Sequence, residues 1–180
     1  IQFGLSIKDP LAADISTSEA FEVDNNAAGS DTNPAPAPTG QGYGDFTSAV
    51  FTNITCIGAN ARPNGAGGFV TPNSLHDKAL RLRRASQPKI FNSIFLDFKK
   101  GLVLESLSSN AAAVADKLKF KNNILVGPTA ATFASVNTTT STVPTTAAVN
   151  AWFAASGNTA FATNTGLLTK PYDTNSGTTY

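Results

Sequence analysis

The chain has 180 residues, with Lys and Arg numbering 13 against 12 Asp and Glu, a formal charge of +1, and charged residues at only 14%. A chain of this length builds one continuous core, so residues 1–180 are read as a single domain. The near-zero charge gives no electrostatic case for nucleic acid or an anionic membrane, and no apolar run is long enough to span a bilayer as a helix.

Ile1, Phe3, Leu5 and Ile7 alternate with Gln2, Gly4, Ser6 and Lys8, the period of a half-buried strand that ends at "KDP". A chain that starts on a strand reads as a fragment of a longer one, its missing upstream rungs or a partner subunit covering Ile1, Phe3, Leu5 and Ile7. From Asp24 to Gly44, proline, glycine and Asn/Asp residues without apolar periodicity predict a long surface loop. Three later runs, "VFTNITCIG" from Val50, "IFNSIFLDF" from Ile90 and "FKNNILVG" from Phe120, overlay on Ile54, Ile94 and Ile124. In that overlay Val50, Ile90 and Phe120 share the inner side with Cys56, Leu96 and Val126, and the pairs Thr52-Asn53, Asn92-Ser93 and Asn122-Asn123 stack between rungs.

Such a repeat, irregular in spacing, points to a parallel β-helix, in which each strand pairs with equivalents above and below. "KIFNSIF" and "GLVLE" are then successive strands of one coil, with Gly101 as the corner. "SLSSNAAAVADKL" and "PTTAAVNAWFAAS" predict two short packing helices, the second capped at Thr145 or Thr146 and carrying Trp152 and Phe153. The expected architecture is all-β, with irregular rungs, long loops and one or two short helices.

Chemistry-bearing residues are sparse. Asp9, Asp14, Glu22 and Asp24, with Asn25 and Asn26, form an oxygen-rich group suited to Ca²⁺, although the spacing is not that of an EF-hand, and turn chemistry is the competing reading. Lys78, Arg81, Arg83, Arg84 and Lys89 cluster, but strand alternation puts Arg84 opposite Arg81 and Arg83, so solvated or paired arginines are expected. Cys56, the only cysteine, reads as a buried small hydrophobe and excludes an internal disulfide. His76 is the only histidine and comes with no nucleophile motif. Tyr43, Phe46, Trp152, Tyr172 and Tyr180 lie in or beside predicted loops, where rings can stack on sugars or pack on the core. Neither "GAGG" at Gly65 nor "GQGYG" at Gly40 has the strand, helix and lysine of a phosphate loop.

The blocks "IQFGLSIKDP", "FEVDNNAAGS", "SAVFTNITCIG", "LRLRRASQPKIFNSIFLDFKKGLVLE" and "KFKNNILVG" together resemble, over about residues 1–130, the later part of a Bacteroidetes family of secreted or surface-exposed β-helix proteins, often lipoproteins. Ala85 and Asp97 stand where that family more often has Asn and Gly. The resemblance implies a right-handed parallel β-helix and an extracellular, outer-membrane-associated location, with no agreed activity and no catalytic residues to transfer. The resulting expectation is a noncatalytic scaffold, adhesin or accessory subunit; a glycan-binding module and a polysaccharide-degrading enzyme are the alternatives.

Overall fold

A computed structural model describes residues 1–11, 18–25, 46–105, 107–127, 134–136, 146–164, 166–169 and 171–172. Its repeating unit is a short strand, one left-handed residue, and a second short strand. The pairs are β3 (Val50–Thr52) with β4 (Ile54–Ile57), β6 (Lys89–Phe91) with β7 (Ile94–Leu96), and β9 (Lys119–Lys121) with β10 (Ile124–Val126). Asn53, Asn92 and Asn122 make the corners between them at φ of 56°, 51° and 57°. Asparagine is among the few L-residues that visit this region readily.

β1 (Gly4–Ile7) and β2 (Phe21–Val23) precede the first pair; β5 (Lys78–Leu82) and β8 (Lys100–Leu104) follow the first two pairs, and β11 (Ala134–Val136) follows the third. The helices among the described residues are α1 (Leu107–Val114) and α2 (Thr146–Ala155), and β12 (Thr159–Phe161) comes last. Three sheets result, ordered β1-β4-β7-β10-β12, β11-β8-β5-β2 and β3-β6-β9, and every pairing between these strands is parallel. The chain visits them in fixed rotation, β3-β4-β5, then β6-β7-β8, then β9-β10-β11. The protein is therefore β-rich and mostly parallel, and both helices fall where the sequence places them.

Register corrects part of the sequence reading. Ile94 does pair with Ile124, but its partner on β4 is Thr55, so the overlay on Ile54 is one residue out in the first copy. The inner column is Cys56, Phe95 and Leu125, and Phe51, Ile90 and Phe120 align on the neighbouring sheet. Leu96 and Val126 instead face outward with Ile57. The same slip affects the first strand: Ile7 pairs with Ile57 on the outer face, leaving Gly4 and Ser6 on the inner side opposite Ile54 and Cys56. Gly101 lies inside β8; the corner before that strand is at Asp97, φ 58°.

Ser93 and Asn123, each following an asparagine corner, and Asn158, following Gly157, build a polar ladder through the interior. Ile54 N donates to Ser93 Oγ at 3.1 Å, Ser93 N to Asn123 Oδ1 at 2.9 Å, and Asn123 N to Asn158 Oδ1 at 2.8 Å. Asn158 Nδ2 in turn donates to Phe120 O and Phe153 O. Buried amides with every group engaged stabilise, whereas an unpaired one is costly.

The two ends of the stack differ. Beyond β9 and β11, α2 puts Val149 and Phe153 into the core, and Phe153 stacks on Phe120 with ring centroids 5.9 Å apart. At the other end β1, β2 and β3 are edge strands, and Ile1, Phe3, Leu5, Leu11 and Val50 are exposed. Ile1 already prolongs the β3 ladder, its ammonium donating to Val50 O and its carbonyl accepting from Thr52 N.

Candidate functional site

The three sheets present outer faces of unlike chemistry. On β2-β5-β8 the outward side chains form a closed ionic lattice. Arg81 reaches Glu105 through both Nε and Nη2 and Glu22 through Nη1. Arg83 Nε donates to Asp24 Oδ2 at 2.7 Å, Arg84 Nη1 to the same oxygen at 2.8 Å, and Arg83 also meets Glu22. Farther along, Lys78 joins Glu19 to Asp77, and Lys100 binds Asp77. Burial pushes the Glu105 and Asp77 carboxyls up, but their basic partners outweigh it and hold both below the usual range. The arginines are paired, as the sequence suggests. Arg84, however, is not turned away, because Arg84 and Ala85 take φ of 52° and 55° and swing it back to Asp24.

The outer face of β1-β4-β7-β10 is apolar. Ile7, Ile57, Leu96, Ile124 and Val126 pack beneath Leu167, Leu168 and Tyr172. This cover explains why the strands around Ile94 lack a polar side. Tyr172 Oη donates to Asp97 Oδ2. Asp97 occupies a corner column with Gly58 and Gly127: a Cβ on Gly58 would sit 2.3 Å from Asp97 O, and one on Gly127 2.7 Å from Asp97 Oδ1. Burial raises the Asp97 carboxyl above its ordinary range, partly offset by the Tyr172 bond, and burial with that same bond raises the Tyr172 phenol.

The third outer face, on β3-β6-β9, is basic. In-register pairing puts Lys89 beside Lys119 and Phe91 beside Lys121, while Ile90 and Phe120 alternate inward, fully buried. Asp116 accepts from Lys119 at 2.8 Å and meets Lys121 at 2.9 Å, and these bonds bring its carboxyl down to about 2. A whole-chain charge of +1 conceals this local excess; the Lys-x-Lys and Lys-x-Phe alternation at residues 119–121 and 89–91 was its signal.

The proposed calcium ligands do not gather as one group among the described residues. Asp24 and Glu22 serve the arginine lattice, Asp9 Oδ1 accepts from Leu11 N in a local turn, and Asp14 lies outside the described residues. No cluster of three His, Cys, Asp or Glu suited to a metal occurs among the described residues. Cys56 is buried as expected, its thiol pushed up to about 12 by desolvation. His76 is also buried, paired by a bridge to Ser18, and its Nε2 has no hydrogen-bond partner among the described residues. Trp152 packs against the core and Phe46 is half-buried, while Tyr43 and Tyr180 lie outside the described residues, as does most of the 24–44 loop. The aromatics do not converge on one described surface. No known protein family, curated protein or solved structure matches the chain.

Proposed function

We propose that this chain is part of a right-handed parallel β-helix that acts without catalysis, as a scaffold, adhesin or accessory subunit in an outer-membrane assembly at the cell surface or after secretion. The cyclic visiting order supports the coil, and parallel crossovers are right-handed in nearly all proteins. The resemblance to the Bacteroidetes β-helix family supports the location. The observation that carries the functional reading is the unequal pair of ends. α2 covers the interior at one, while the other presents the edges of β1 and β2 and the exposed side chains of Ile1, Phe3 and Val50. Unpaired parallel edges bordered by apolar side chains are templates for further strands. Upstream rungs of the same polypeptide are the simplest occupant, and a partner subunit is the alternative.

Sedimentation of the 180-residue chain over a concentration series tests this reading. Self-association is expected, together with its loss when Phe3 and Val50 are replaced by Lys. A monomer at every concentration that also cleaves a polysaccharide overturns it.

A further inference from the structure

The basic outer face of β3-β6-β9 has a chemistry the scaffold role does not use. Lys89 and Lys119 are directly paired across adjacent strands, a separation of about 4.8 Å between strand axes. Phe91 alternates with Lys89 on β6, half-buried, and pairs with Lys121. Lys117 is exposed just before β9. Among the described carboxylates only Asp116 bonds to lysines of this face. Glu19, Glu22, Asp24, Asp77 and Glu105 are held in the lattice on another sheet, and Asp97 is bonded to Tyr172. The ammonium groups of Lys89, Lys119 and Lys121, with Lys117 exposed just before β9, against one carboxylate leave this face positive and bordered by an aromatic ring.

We propose that this face binds an acidic polysaccharide, with uronate carboxylates or sulfate esters crossing from strand to strand. Lysine supplies compact point charges on flexible stems, which suits anionic groups spaced along a polymer; bidentate recognition is the province of arginine. Arg81, Arg83 and Arg84 are all engaged in the β2-β5-β8 lattice. Phe91 offers a partly covered apolar ring to a sugar face. Single-stranded nucleic acid is the weaker fit, because its binding grooves combine basic charge with several aromatic platforms for successive bases, and this strip has one. The proposal extends beyond the scaffold reading and does not depend on it.

Calorimetric titration with polygalacturonate, dextran and oligo-dT separates the outcomes, with Lys89→Gln/Lys119→Gln as the test variant and Lys99→Gln, exposed on another corner, as the control. Polygalacturonate should bind, should weaken steeply as salt is raised, and should lose about tenfold in affinity in the double variant, the scale of two exposed charge contacts. The control and dextran should show no such change and no binding, respectively. Unaltered unfolding midpoints would establish that both variants remain folded. Equal binding of oligo-dT, equal loss in Lys99→Gln, or no binding of polygalacturonate would each overturn the proposal.

Discussion

At the end of the stack formed by residues 146–161, α2 covers the interior with Val149 and Phe153, and Asn158 ties that helix to Phe120 through backbone carbonyls. At the end formed by residues 1–25, the inner positions of β1 are Gly4 and Ser6, and the apolar side chains Phe3 and Leu5 are exposed to solvent. The same hydrogen-bonded ladder runs between the two, so backbone pairing alone does not distinguish a covered end from an exposed one. What distinguishes them is side-chain burial: Phe153 is buried over Phe120 at α2, whereas the rings of the first circuits, Phe21 against Phe51 and Phe95, leave Phe21 and Phe51 only half-buried.

The sharpest way to break this contrast is to truncate one side chain at each end. Phe120→Ala, fully buried between Phe95 and Phe153, should cost about 3–5 kcal/mol in denaturant unfolding, whereas Val50→Ala, half exposed on an edge strand, should stay within about 0.5 kcal/mol. Equal costs would mean that the open end is packed as tightly as the sealed one.

Next in size is the polar ladder. Asn123→Ala removes the acceptor for Ser93 N and the donor to Ile90 O, and should cost about 1–3 kcal/mol through groups left unpaired. Hydrogen exchange at Ser93 should accelerate in parallel; an unchanged rate would mean that the ladder does not carry this stability.

Ile94→Ala should cost about 1 kcal/mol, since Ile94 is half-buried on the outer face and full burial of such a side chain is worth about 1.5–3 kcal/mol. A loss as large as that of Phe95→Ala would restore the inward placement implied by the isoleucine overlay.

Asp97→Asn tests the corner that locks the covering segment. The folded-state pKa of Asp97 is raised, so the native state holds the proton more tightly than the unfolded chain. The stability linked to it is fully present below the ordinary carboxylate value and declines as pH rises through the raised one. The variant should flatten that decline and match or exceed the wild-type unfolding midpoint at neutral pH, since asparagine tolerates a φ of 58°. A steeper decline in the variant would contradict this account. The smallest thermodynamic effect belongs to Phe3→Lys: an unchanged midpoint, with self-association reduced.

Much of the architecture is legible in the sequence, and its failures have a physical cause. The strand pairs were visible because β-branched and aromatic residues recur at short spacing in "VFTNIT", "IFNSIF" and "FKNNIL". Both faces of the β4-β7-β10 sheet are apolar, however, so hydrophobicity could not choose between registers one residue apart. The asparagine corners could: aligning Asn53, Asn92 and Asn122 gives the observed pairing, because backbone conformation at the corner is a stricter constraint than burial. Outer-face chemistry was harder to see. The ionic lattice joins residues far apart in the chain, such as Arg81 with Glu22 and Glu105, and the lysine strip emerges only once β6 and β9 are laid side by side.

The position of α2 has a consequence for synthesis. A ribosome delivers these residues in chain order, so β1 through β11 are made before the helix that covers the stack. Until residues 146–155 arrive, Phe120 and its neighbours lack their cover, and a nascent chain stalled before α2 should be the form most readily captured by holdase chaperones or cut by proteases.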